Sequence, residues 1–149
     1  MMLGSLFCVI RKRPMMKNQD YVYERVSIEE MLEAVLEVGH AAEIVTHDNG
    51  RRTLKCSYNE TSYTVQFYPN EGHENNEFGA IRFVAWFSDE NPDPAYANDF
   101  NSKFRFANLV AEEDCYVLQH DIVAIGASKQ NLVICTQQWS TSVDDFLEF

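Results

Sequence analysis

Apolar positions along the chain follow two periods, and these predict where helices and strands lie. Residues 28–38 and 132–146 have apolar side chains at spacings of three and four, as on one face of a helix. Ser27 and Glu30 form a capping-box pattern at the start of the first segment, and Gly39 supplies its stop. We therefore predict a helix from Ser27 to Val38. A second helix, capped by Ser128, should run to the C-terminus.

Strands are predicted where apolar and polar residues alternate or where a short apolar run lies between turns. Residues 42–47 and 53–58 flank Asp48-Asn49-Gly50, and Asn-Gly is typical of a tight hairpin turn. A turn at 59–61 leads into a strand over 63–67, and 70–79 reads as a polar loop. The remaining elements are a strand over 80–88, a helix over 95–103, and a hairpin of strands 105–110 and 115–125.

The element order α-β-β-β-β-α-β-β-α defines the fold class. Short loops between consecutive strands favour antiparallel pairing. We expect an α+β fold of two layers, a mostly antiparallel sheet with three helices on one face. Core residues should be Phe100, Phe104, Leu132, Trp139 and Phe146.

One face of this sheet would remain without helices, and it keeps apolar residues. Alternation along 80–88 places Val84 and Trp86 on that face, and we also expect one of Val65 and Phe67 there. Large exposed apolar patches mark interaction sites, so Val84 and Trp86 are candidate partner-binding residues, and we expect a homodimer. The alternative is that the N-terminal segment or a neighbouring loop covers this face.

Charge divides the chain into a basic leader and an acidic body. Residues 1–20 hold four of the 12 basic residues and one of the 23 acidic ones. We expect this leader to be disordered, and residues 21–149 to form one domain. Residues 1–16 lie outside the periodic elements and should be dispensable for folding. A body this acidic repels phosphate backbones, so nucleic acid is an unfavourable partner.

The candidate chemical groups favour binding over catalysis. No two of the four histidines lie at zinc-motif spacing from each other, and no Cys-x-x-Cys pair occurs. His73 lies among carboxylates in 71–77, where a cation could bind, but such loops are commonly solvated. The carboxylate runs Glu112–Asp114 and Asp144-Asp145 are expected to be solvated as well. We predict no catalytic residue, no metal, no cofactor and no membrane span, and reduced thiols in the cytoplasm.

The C-terminal half carries a recognisable series of residues. Asn98, Asn101 and Phe104-Arg-Phe106 are followed by the run Val117 to Ile125, which contains Asp121, and then by Gly126 and Ser128. This series resembles the YbjN family, described as bacterial sensory-transduction regulators with a fold similar to type III secretion chaperones. The chain departs from the family pattern at Phe100, where tryptophan is usual, and at Gly126-Ala127, where two glycines are usual. The resemblance carries no catalytic residue, and its asparagines are interpreted as helix caps.

Three functional hypotheses follow. The first is a non-enzymatic regulator or chaperone-like protein of the YbjN class that binds another protein. The second is a small-molecule-sensing module with a pocket between sheet and helices. The third is an enzyme that uses the loop around His73.

Overall fold

The computed structural model of the protein describes residues 25–68 and 77–149. In these ranges the chain forms three helices, α1 (Ile28–Val38), α2 (Pro94–Lys103) and α3 (Lys129–Glu148). The strands are β1 (Val26–Ser27), β2 (Ala41–Thr46), β3 (Arg52–Tyr58), β4 (Thr61–Tyr68), β5 (Glu77–Phe78), β6 (Ala80–Ser88), β7 (Asn108–Ala111) and β8 (Cys115–Val123).

The six longer strands form one antiparallel sheet in the order β2-β3-β4-β6-β8-β7. β2, β3 and β4 pair in chain order, and β7 pairs with β8. Helix α2 lies between β6 and β7 in the chain. In the sheet, β8 lies between β6 and β7, and β7 forms the edge. The rings of Trp139 on α3 and Tyr96 on α2 pack against strand residues that share one face of this sheet. The predicted two-layer α+β architecture is therefore confirmed.

The helices begin where the sequence predicts them because their first amide groups find side-chain acceptors. The Glu30 amide donates to the Ser27 hydroxyl at 3.1 Å, and the Ser27 amide donates to the Glu30 carboxylate at 2.9 Å. Ser128 and Asn131 form the equivalent box at the start of α3. Gly39 ends α1 with a φ of 99°, a conformation that favours glycine.

Two turns set the register of the β2-β3-β4 meander. The β2–β3 loop closes with the His47 amide bonded to the Arg51 carbonyl, and Gly50 within it has a φ of 86°. The β3–β4 connection has only Asn59 and Glu60 between paired residues, and both have positive φ. That conformation matches the twist of the two strands, so this hairpin is tight.

The structure corrects several of the predicted element bounds, two of them for a clear physical reason. Glu77–Phe78, expected in a polar loop, pairs with Val26–Ser27 as a small two-stranded sheet, because Phe78 packs its ring against Phe67 in the core. Strand β7 begins at Asn108 instead of residue 105, since Phe106 takes a φ of 75° and turns the chain. A sequence pattern shows the apolar character of such residues but not the backbone turn.

The core lies between the sheet and the helices. Trp139 is fully buried, and its ring stacks on Phe83 with 5.6 Å between centroids. Phe100 and Leu132 are also fully buried, as predicted. Phe104 and Phe146 are half-buried and pack on the margin of this core. Each therefore contributes less to stability than a fully buried phenylalanine would.

Candidate functional site

The large sheet has one face covered by the helices and one that no described helix covers, which we call the open face. Phe83 and its cross-strand neighbour Val65 point to the helices. The next residue, Val84, lies opposite Thr64 and points the other way. Phe67, two residues after Val65, shares its side, so the expectation that one of the two lies on the open face was wrong.

The predicted partner-binding residues both lie on the open face but differ in exposure. Trp86 is 52% exposed, whereas Val84 is 3% exposed. Across the sheet, Trp86 pairs with Val117, and Val117 pairs with Val110 on the edge strand. We call these four residues, Val84, Trp86, Val110 and Val117, the apolar half of the open face. Trp86 is the member of this group that presents a large apolar surface to solvent.

The other half of the open face forms a groove on β2, β3 and β4, and carbon atoms of mainly polar residues supply most of its surface. Its volume is about 560 Å³, and the β2–β3 loop and Trp86 both contribute to its walls. His47 from the loop shares a hydrogen bond with the Thr53 hydroxyl, 3.0 Å from Nε2, which fixes the loop against the sheet. The described lining residues are Val45, His47, Asn49, Arg51, Thr53, Lys55, Ser62, Tyr63, Thr64, Gln66 and Trp86.

An ion pair lies beside the apolar half. Arg82 donates to both carboxylate oxygens of Asp121, at 2.6 and 2.9 Å. This pairing lowers the pKa of Asp121 and raises that of Arg82. The guanidinium also lies over the ring of Tyr68, 5.8 Å from its centroid. Because the two charges satisfy each other, they do not offer a free charge to a partner.

A buried histidine joins the sheet to α3. His40 lies 2.6 Å from the Tyr63 hydroxyl through Nδ1 and 2.8 Å from the Ser140 hydroxyl through Nε2. Burial lowers the pKa of His40, so the ring is neutral at pH 7. The Ser140 hydroxyl is also 3.1 Å from the Thr136 carbonyl, and when Ser140 donates to that carbonyl, Nε2–H donates to Ser140 and Nδ1 accepts from Tyr63.

The hydrogen bonds of His40 have a structural role. In that arrangement the Ser140 proton is donated to α3 itself and not to the imidazole. Burial raises the pKa of Cys56, next to Tyr63, to about 12, which makes its thiol unreactive. The Tyr63 pKa is raised by the same burial. These groups hold α3 on the sheet in a fixed orientation.

Asn101 shields one edge of the sheet. Its side-chain amide donates to the Leu109 carbonyl at 2.8 Å, and its oxygen accepts from the Leu109 amide at 2.7 Å. These are the bonds that a further strand would make with β7, so Asn101 replaces a neighbouring strand. Interpretation of Asn101 as a helix cap was wrong, because it lies within α2 and bonds to a strand.

The remaining candidate groups do not converge. His120 points to the helix side and is half-buried near Phe83 and Phe106. Asp144 accepts a hydrogen bond from the Tyr58 hydroxyl at 2.7 Å. Glu112–Asp114 lie exposed in the β7–β8 turn, and His73 lies outside the described residues.

Neither a metal centre nor a spanning helix is found in the described ranges. No three of their His, Cys, Asp and Glu residues form a group suited to a metal ion. None of their helices has the length and apolar character needed to cross a bilayer.

Sequence reasoning missed the groove and the role of Asn101. A signal for the groove exists in the sequence, since Arg51 and Lys55 lie close together beside Asn49-Gly50 in an otherwise acidic body. No comparable signal exists for Asn101, because its partner is eight residues away and depends on how α2 packs on β7.

Comparisons with known proteins give a family and a distant structural similarity. The model of the YbjN family, "Putative bacterial sensory transduction regulator", matches residues 29–149. No curated protein matches the chain. Among solved structures, the Yersinia pestis type III secretion chaperone SycH, in complex with a stable fragment of YscM2, is 13% identical. The match covers 78% of this chain and 97% of that chain, with a TM-score of 0.47.

Proposed function

Since the chain belongs to the YbjN family, we propose that it is a non-enzymatic, chaperone-like regulator that binds another protein through the open face of its sheet. The single observation that carries this proposal is the exposure of Trp86 at the margin of an apolar cluster. Tryptophan is among the residues that contribute most to protein interfaces, and its exposure in a free chain is unfavourable.

The apolar half of the open face also supports a homodimer. A two-fold interface covers a patch with the same patch of a second copy, so Trp86, Val117 and Val110 would meet their own equivalents. The net charge of −11 opposes association at long range, but salt screens that repulsion beyond about 8–10 Å. Dimerisation should therefore strengthen as the salt concentration rises.

Light scattering on the full chain at low micromolar concentration tests this assembly. The wild type should be a dimer whose dissociation constant falls with added salt, and Trp86→Ala should be a monomer. Leu36→Ala is the matched control, because Leu36 is an exposed apolar residue of α1, on the helix layer. A wild-type monomer at low and at high salt would contradict the dimer.

The wider binding role is tested with the same variants. A tagged wild-type chain and Trp86→Ala are used to capture proteins from a lysate of the native organism. A specific partner should be retained by the wild type and by Leu36→Ala and lost with Trp86→Ala. Equal retention by all three proteins would remove Trp86 from the binding surface.

Small-molecule sensing is the second candidate, and one observation favours it. Two buried nitrogens on the helix side of the sheet, His120 Nδ1 and Trp139 Nε1, have no hydrogen-bond partner among the described residues. Buried polar atoms are normally paired, so a small polar ligand between the sheet and the helices could bind them. A ligand that binds there would raise the melting temperature, and His120→Phe would abolish that shift.

The proposal places the protein in the cytoplasm and without nucleic-acid partners. The free thiols of Cys56, Cys115 and Cys135 support a reducing compartment. The acidic composition opposes binding to phosphate backbones.

A further inference from the structure

The groove is basic on a strongly acidic protein. The chain has 23 acidic residues against 12 basic ones, yet none of the described residues that line the groove is acidic. Arg51 and Lys55 line it, and neither forms a salt bridge with a described residue. Among the residues paired with these strands, the acidic side chain nearest to Lys55 is that of Glu43, which lies directly opposite it on β2. Lys55 is exposed, so its charge remains available to a ligand.

The groove is too small for a folded domain and suits a short segment of chain. Its volume of about 560 Å³ lies within the range of about 300–1,000 Å³ that is typical of ligand pockets. Several other lining residues carry a hydroxyl or an amide, such as Thr64 and Gln66, and these groups can form hydrogen bonds with a backbone, while the carbon atoms of the lining can pack against side chains. At one end lies the exposed ring of Trp86, against which an aromatic or aliphatic side chain can pack.

We propose that this groove binds an acidic, extended segment of a partner protein. Its carboxylates would lie against Arg51 and Lys55, and one apolar side chain would lie against Trp86. The inference rests on the proposed protein-binding function and adds the chemistry of the partner. Charge complementarity of this kind favours the correct partner and speeds association.

Other occupants fit less well. A second copy centred on the groove would bring Arg51 and Lys55 against the same residues of its twin, which like charges oppose. A nucleic acid would meet an acidic surface on the rest of the chain, whereas a short segment contacts only the groove.

A displayed library of random short peptides, selected against the purified full chain, tests the inference. The enriched peptides should be rich in Asp and Glu and contain an aromatic or aliphatic residue. Their binding should weaken as salt is added, because salt screens exposed charges. Because a second copy and a peptide would both cover Trp86, binding is measured at protein concentrations low enough for the chain to be monomeric. The fluorescence of Trp86 should then shift to the blue on binding, whereas the other tryptophan, Trp139, is already buried.

A matched pair of double variants separates the groove from the general charge. Arg51→Glu with Lys55→Glu should weaken binding of an enriched peptide by roughly tenfold or more, since each exposed ion pair is lost and replaced by repulsion. Lys103→Glu with Arg105→Glu changes the net charge equally, at the end of α2, and should leave affinity within about twofold. Should the groove variant unfold, Arg51→Gln with Lys55→Gln gives a milder comparison.

Each contrary result has a defined meaning. Enrichment of neutral or basic peptides, no enrichment, or equal losses in the two double variants would overturn the inference. Tight binding of an oligonucleotide, or of a small aromatic carboxylate such as benzoate, in the absence of peptide binding would also overturn the inference. If, in those cases, dimer formation and capture of a partner still depend on Trp86, the proposed function is retained and only the acidic-segment inference fails. If acidic peptides bind the groove but Trp86→Ala changes neither assembly nor capture, the groove stands and the wider proposal fails.

Discussion

Replacement of Asn101 by alanine should destabilise the protein by an amount that the structure allows one to estimate. Two hydrogen bonds to Leu109 would be lost, each with a net contribution of about 0.5–1.5 kcal/mol. Leu109 is 2% exposed, so its amide and carbonyl would also lack partners, which costs about 1–3 kcal/mol for a buried group. These terms overlap, and the expected loss is roughly 2–4 kcal/mol.

Thermal and urea unfolding measure this loss. For a chain of this size, each kcal/mol lowers the melting temperature by about 2–4 °C, so the expected decrease is about 5–15 °C. Asn98→Ala is the matched control, because Asn98 is an exposed asparagine of the same helix. Both variants gain the same helix propensity, and Asn98→Ala should remain within about 0.5 kcal/mol of the wild type.

A second readout separates shielding of the edge from simple loss of stability. Without Asn101, the amide of Leu109 would lose its acceptor, so its hydrogen should exchange with solvent faster in Asn101→Ala than in Asn98→Ala under conditions where both remain folded. If Asn101→Ala and Asn98→Ala have the same stability and the same exchange rate at the Leu109 amide, the assignment of Asn101 as a substitute for a neighbouring strand is wrong.

The remaining predictions concern the core, pH and the N-terminal residues. Phe100→Ala should cost about 3–5 kcal/mol and Phe146→Ala clearly less, since only Phe100 is fully buried; urea unfolding measures both, and equal costs would contradict the burial argument. Burial lowers the His40 pKa from 6.5, so the unfolded state binds the proton first and stability should fall as pH drops below about 6.5. His40→Gln should flatten part of that dependence, and the remainder is expected from His120, whose pKa burial also lowers. A pH profile of His40→Gln identical to that of the wild type would refute the assignment. Deletion of residues 1–16 should leave the melting temperature unchanged, whereas a clear decrease would show that they pack on the domain.

Local rules in the sequence determined most of the elements and the fold class. Ser27 with Glu30, Gly39 and Ser128 act on neighbouring backbone groups, so short segments of sequence contain both partners of each interaction. Alternation along β6 likewise assigns Val84 and Trp86 to one face without knowledge of the other strands.

Tertiary structure alone decided the features that need partners far apart in the chain. Val84 and Trp86 share a face, yet Val84 is buried and Trp86 is exposed, a difference that alternation along one strand does not contain. Val26 precedes α1 in the chain and Phe78 follows β4, so their pairing joins residues that a helix and three strands separate in sequence. The groove forms because antiparallel register brings the β2–β3 loop and Trp86 to the same side of the sheet. A sequence gives the chemistry of each residue, but the distance between two residues depends on strand order and register, which the packing of the whole chain determines.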